Sequence, residues 1–154
     1  MDDGLSRRAA QLFASDLERP PAIALRGGDA VDSYREAPAY DPEVDRPNDA
    51  YLERYAFFGL IYLDPGSWRH YLPVLIDYTL RHLTAPGDLV IEALLFSLRP
   101  PGSDPPRFGS LSESQTALVE EFLEFVAFDA ASAYQDDARQ VLQERTDPGP
   151  RAPE

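Results

Sequence analysis

The residues best suited to moving a proton are the chain's two histidines, His70 and His82. On a helix through residues 67–83, His70, Asp77 and Arg81 fall on one narrow polar stripe. A histidine–carboxylate pair of that kind could act as a general acid and base. Seven residues, however, separate His70 from Asp77 by about 10 Å along a helix axis, beyond hydrogen-bond reach. Asp77 and Arg81, four residues apart, read instead as a helix ion pair. His82 falls in the apolar arc near the end of the same helix, where a donor satisfies free carbonyls. The two histidines stand about 18 Å apart along the axis and point different ways, so one metal cannot hold both. A three-histidine zinc site is excluded by number. Asp41-Pro42-Glu43-Val44-Asp45 opens like a calcium loop. It fails at the sixth position, where Arg46 stands for Gly, and at the twelfth, where Leu52 stands for Glu.

Composition removes other chemistries. Among 154 residues there is no Lys and no Cys. That excludes Schiff-base chemistry, a phosphate-loop lysine, thiol nucleophiles, disulfides and thiolate metal sites. No serine sits in a nucleophile elbow, since Gly66-Ser67 and Gly109-Ser110 lack the second glycine. No cofactor is expected. Asp and Glu can still do acid–base work, so a small carboxylate-based hydrolase stands as an alternative reading. An accessory subunit that oligomerises through its aromatic surface is another.

The net charge is −13, which argues against nucleic-acid and anionic-membrane binding. It is also uneven. Residues 29–66 hold nine acids and three Arg, residues 112–154 ten acids and three Arg, and residues 1–28 and 67–111 are neutral. One-signed blocks suggest faces presented to solvent or to a partner. Within them, Tyr40, Asp41, Glu43 and Asp45 form one candidate binding set. Glu113, Glu120, Glu121 and Glu124 form the other, with Glu120 and Glu124 as like charges one turn apart and no Arg at helical spacing to offset them. Acids interleaved with tyrosine suit a basic partner, the charges steering encounter and the rings anchoring it. The reading is a non-catalytic acidic binding protein of the inhibitor, immunity or antitoxin type, with a basic toxin or nuclease as the kind of partner. Met1-Asp2-Asp3 begins with acids, and the longest mostly apolar stretch, residues 55–63, is too short to span a bilayer. A cytoplasmic location is expected.

These residues must be held by helices. Residues 5–19 place Leu5, Ala9, Leu12, Phe13 and Leu17 on one side, and Pro20-Pro21 ends that helix. Residues 22–47, with Gly27-Gly28 and three prolines, read as irregular, with at most a short strand at 23–25 or a turn of helix near 32–36. Asn48 caps a helix to about Leu63, and Asp64-Pro65-Gly66 breaks the chain. Residues 67–83 are apolar almost all round and predict a helix surrounded by protein. Pro86 or Asp88 opens a helix over 89–98. Pro100 to Pro106 is a proline-rich loop. Ser112 and Gln115 form a capping box before an amphipathic helix. A last helix covers roughly 130–145, and 146–154 is a disordered proline-containing tail. The expectation is one all-α domain over 1–145, an orthogonal bundle of five or six helices around one central apolar helix.

Trp68 ahead of Tyr71-Leu72-Pro73, the run Leu94-Leu95-Phe96-Ser97-Leu98 before prolines, and then Arg107-Phe108, Leu111, Ser112, Gln115 and Phe122-Leu123 with Phe125 occur in an order that resembles a bacterial family of unknown function. The resemblance covers about residues 55–130. The chain departs from that family in having no Trp over residues 134–145. The resemblance implies a fold and no catalytic residues.

Overall fold

The computed structural model describes residues 4–99 and 107–146. Among them are eight α-helices and no strand: α1 Leu5–Leu12, α2 Ala14–Glu18, α3 Leu25–Asp32, α4 Asp49–Gly59, α5 Pro65–Arg81, α6 Leu89–Ser97, α7 Glu113–Phe128 and α8 Gln135–Thr146. Two 3₁₀ turns, Leu60–Tyr62 and Phe108–Ser110, complete the described elements. The protein is all-α, with more helices than the five or six expected. The proline-rich loop and, apart from Thr146, the expected tail lie outside the described residues.

α5 organises the interior. Trp68, Tyr71, Leu72, Leu75 and Ile76 have no exposed surface, and they join Phe13, Leu25, Leu52 and Phe122 in one apolar cluster. Each such side chain contributes roughly 1.5–3 kcal/mol of burial. Asp64 caps α5 by accepting from the Ser67 amide, and Pro65 occupies the first turn, where a missing N–H costs nothing. The triplet that stops one helix therefore starts the next. Asn48 accepts from the Tyr51 amide, Asp88 from the Val90 amide, and Ser112 and Gln115 satisfy each other's backbones in the capping box. On α7, Leu118, Val119, Phe122, Leu123 and Val126 are buried, while Phe125 is half-buried.

Two expectations need correction. The first helix does not run unbroken over 5–19 but turns at the fully buried Phe13. Its backbone bonds persist across the bend, Phe13 N–H to Ala9 and Leu17 N–H to Phe13. The turn carries Asp16 inward, leaving Leu12 exposed and Leu17 half-buried. The second correction is α3, which occupies part of the segment 22–47 read as irregular, with at most a short strand at 23–25 or a turn of helix near 32–36. Each glycine lowers the intrinsic preference for helix by about 1 kcal/mol, so local propensity argues against it. Packing overrides propensity here. A Cβ built on Gly28 would lie 2.2 Å from the Gly59 carbonyl oxygen, and one on Gly59 2.3 Å from that of Leu25. Only glycine at both positions lets α3 and α4 touch backbone to backbone.

α3 ends in a Schellman closure, with Arg35 N–H donating to Ala30 O (2.8 Å) and Tyr34 N–H to Val31 O (3.0 Å). The closing residue must be left-handed, and Tyr34 has φ 60°. Glycine is the usual occupant. A side chain there costs roughly 1–2 kcal/mol.

Candidate functional site

The seven acids and one tyrosine singled out in the sequence divide into two places. Tyr40 and residues 41–45 form a loop tied to α3 and α4, whereas the four glutamates project from α7, which packs on α1 and α8. No hydrogen bond or ion pair joins the two sets among the described residues.

Within the loop, Asp45 is buried, with 1% of its surface exposed. Its carboxylate accepts from Nε and Nη2 of Arg26 (2.9 and 3.0 Å), the Tyr51 hydroxyl (2.7 Å) and the Asp41 amide (2.8 Å). Burial alone would raise this carboxyl, but the bonds from Arg26, the Asp41 amide and Tyr51 outweigh it and hold it below the ordinary range. Burial chiefly, with Asp45 adding to it, pushes the Tyr51 phenol far up and keeps it a donor. Asp45 is thus the anchor that folds the loop onto α3 and α4, not a contact surface. Asp41 is exposed and spends Oδ1 on the amides of Glu43 (2.9 Å) and Val44 (3.1 Å). Glu43 is exposed without an ion-pair partner among the described residues. Tyr40 is half-buried, its ring edge-on to His70 at 6.4 Å.

On α7, two of the four glutamates find cations that helical spacing could not reveal. Glu121 is held by the guanidinium of Arg8, which lowers its carboxyl. Glu120 lies 3.4 Å from Arg145, whose guanidinium covers the Phe108 ring. Glu113 and Glu124 are exposed and have no ion-pair partner among the described residues. A groove of about 160 Å³ between α6 and α8 adds Glu92 and Asp137, which have no ion-pair partner among the described residues, beside Phe96.

The histidines take structural places. His70 is buried, and its Nδ1 lies 2.9 Å from the Asp16 carbonyl oxygen. A carbonyl only accepts, so Nδ1 carries the proton. Asp16 in turn receives Arg69 (3.0 Å) and Gln115 (3.1 Å), which joins α2, α5 and α7 in one buried network. Asp77 and Arg81 form the expected ion pair at 2.9 Å. Arg81 also grips Asp49 with two bonds, and these together with His82 hold the Asp49 carboxyl down at about 2. His82 ends α5, stacked on Tyr78 at 4.2 Å. The Tyr78 hydroxyl meets both Glu53 (2.9 Å) and Asp88 (2.7 Å). Burial and the two carboxylates hold that phenol protonated, its one proton serving two acceptors. No group of three His, Asp or Glu among the described residues is placed to hold a metal ion. No helix among them is long and apolar enough to cross a membrane.

Sequence reasoning missed the exposed apolar side chains at the ends of α3 and α4. Val31, Tyr34, Phe58, Ile61 and Tyr62 are all exposed there. The helical spacing of Phe58, Ile61 and Tyr62 was the available signal, hidden by an apolar run that reads as core.

Fold and site together define an all-α acidic domain in which Asp16, Asp45 and Tyr78 are engaged inside the fold, while Glu43, Glu113 and Glu124 face outward. The chain belongs to a family of unknown function (DUF6714), whose model matches residues 1–145. That match extends the resemblance seen over 55–130 to the whole helical region. No curated protein and no solved structure matches the chain.

Proposed function

We propose that this protein is a non-catalytic acidic binder of a basic protein partner, of the inhibitor or immunity type. One observation carries the reading: Glu43, Glu113 and Glu124 are exposed with no ion-pair partner among the described residues, in a chain of net charge −13. Free surface carboxylates of one sign raise the encounter rate with a cationic protein, and salt screens the effect. The groups with the strongest partners do other work. Asp45, Asp16 and Asp49 hold helices together, so removing them would disturb the fold before any interface.

The test begins with affinity capture from the native host and identification of the bound protein by mass spectrometry. Its association rate is then measured at about 0.1 and about 1 M salt, between which the screening length falls from about 10 to about 3 Å. The rate should drop steeply with salt, and Glu113→Arg with Glu124→Arg should slow it at low salt while leaving dissociation nearly unchanged. Glu43→Arg reports separately on the loop face. A rate indifferent to salt and to all three substitutions would return these acids to plain solubility.

A further inference from the structure

The exposed apolar side chains at the ends of α3 and α4 form a defined surface. Phe58 (51% exposed), Ile61 (51%) and Tyr62 (43%) stand at helical spacing along the end of α4 and its 3₁₀ turn. Val31 lies one turn beyond Gly28, and Tyr62 lies one turn beyond Gly59, so the glycine contact sets the two helix ends side by side. The Tyr62 hydroxyl crosses between them to donate to Asp32 at 2.9 Å. Arg107 donates to the carbonyls of Leu60 and Ile61, which fixes the turn. Asp32 accepts from Tyr62 and pairs with no cation among the described residues.

Tyr34 is the telling residue. Its side chain is fully exposed, and its backbone occupies the left-handed position where glycine would be less strained. A residue kept at a cost to stability, with its ring presented entirely to solvent, points to use at that place. The Tyr62 phenol is pushed up first by its bond to Asp32, and Tyr34 is near enough to add to that effect.

We propose that this surface, with Tyr34 and Tyr62 around Asp32 and with Val31, Phe58 and Ile61 beside them, docks a basic segment of a partner protein. It rests on the reading of the chain as a binder of basic partners and names where the contact falls. Arginine stems lie along the rings and the apolar side chains, and a guanidinium head reaches Asp32. Charge selects this occupant. At the end of α3, Asp29, Asp32 and Glu36 stand against the single Arg35 and form no ion pair among the described residues, and a second copy would bring the same excess to a chain already at −13. An anionic membrane would be repelled for the same reason.

The probe is a short synthetic peptide alternating Arg and Leu, with the same peptide carrying Gln for Arg as control, titrated into the full chain and followed by NMR. The Arg peptide should shift the resonances of Val31, Tyr34, Ile61 and Tyr62, and the Gln peptide should not. Tyr34→Gly should raise the melting temperature yet weaken binding about tenfold, as loss of an aromatic anchor does. Phe58→Ser should weaken binding similarly, and Phe128→Ser, an exposed apolar side chain at the end of α7, should leave it unchanged. Shifts confined to the α7 glutamates would overturn this docking site and leave the proposed function standing. An Arg peptide that binds nowhere would count against both. Affinity unchanged by Tyr34→Gly, dimerisation dispersed by that substitution, or binding to anionic vesicles in place of the peptide would each overturn the assignment.

Discussion

Asp45 shows how far a single residue can depart from what its neighbours in sequence suggest. It sits in an acidic, proline-rich stretch, yet it is buried and holds Arg26, Tyr51 and the Asp41 amide. Because its folded carboxyl lies below the ordinary value, it stabilises the fold at neutral pH. That contribution is complete above the unfolded value of about 3.9 and is lost as the pH falls through the folded value. Asp45→Asn should cost about 3 kcal/mol at pH 7, since Arg26 keeps only part of its hydration. Urea midpoints between pH 6 and about 2 check the sign: the substituted protein should lose less stability on acidification than the original. An identical acid slope would remove Asp45 from the account of acid stability.

At the scale of elements, the contact of α3 with α4 is decided by two glycines that local rules would place in a loop. Gly28→Ala gains helix propensity of about 1 kcal/mol but sets a methyl group 2.2 Å from a carbonyl oxygen. The helices must then part, at a net cost of about 2 kcal/mol or more. Gly66→Ala is the control, because its Cβ would meet only side-chain atoms at 3.4 Å or beyond. Chemical denaturation of both should show a large loss for the first and none for the second. If Gly28→Ala is neutral, the close approach is not what holds α3 helical. Helix ends were legible where a cap is local: Asn48, Asp88 and the Ser112–Gln115 box each act within three residues. The bend at Phe13 was not, because what turns inward after it, Asp16, answers to Arg69 and Gln115 far along the chain.

For the molecule as a whole, α5 is the most buried helix, and α1, α2 and α6 pack directly on it. Leu72→Ala should cost roughly 2–5 kcal/mol through the cavity it leaves, measured by thermal or urea unfolding. A loss below about 0.5 kcal/mol would mean that the fold collapses onto some other helix. Charge is distributed by the same packing. Arg8 to Glu121 and Arg145 to Glu120 bind acids of α7 to cations 113 and 25 residues away, so its acidic face is thinner than its composition implies.

Apolar periodicity was enough to place the helical class, the buried α5 and the inward face of α7, because burial of a helix face repeats every three to four residues and is written locally. The absence of Lys and Cys was enough to exclude whole chemistries. Which carboxylates stay free was settled only in three dimensions, since an ion pair depends on the distance between side chains and not on their separation in sequence. The same holds for the surface around Tyr34. Its strain belongs to the local closure of α3, but Phe58, Ile61 and Tyr62 come to stand beside it only once Gly28 and Gly59 have met.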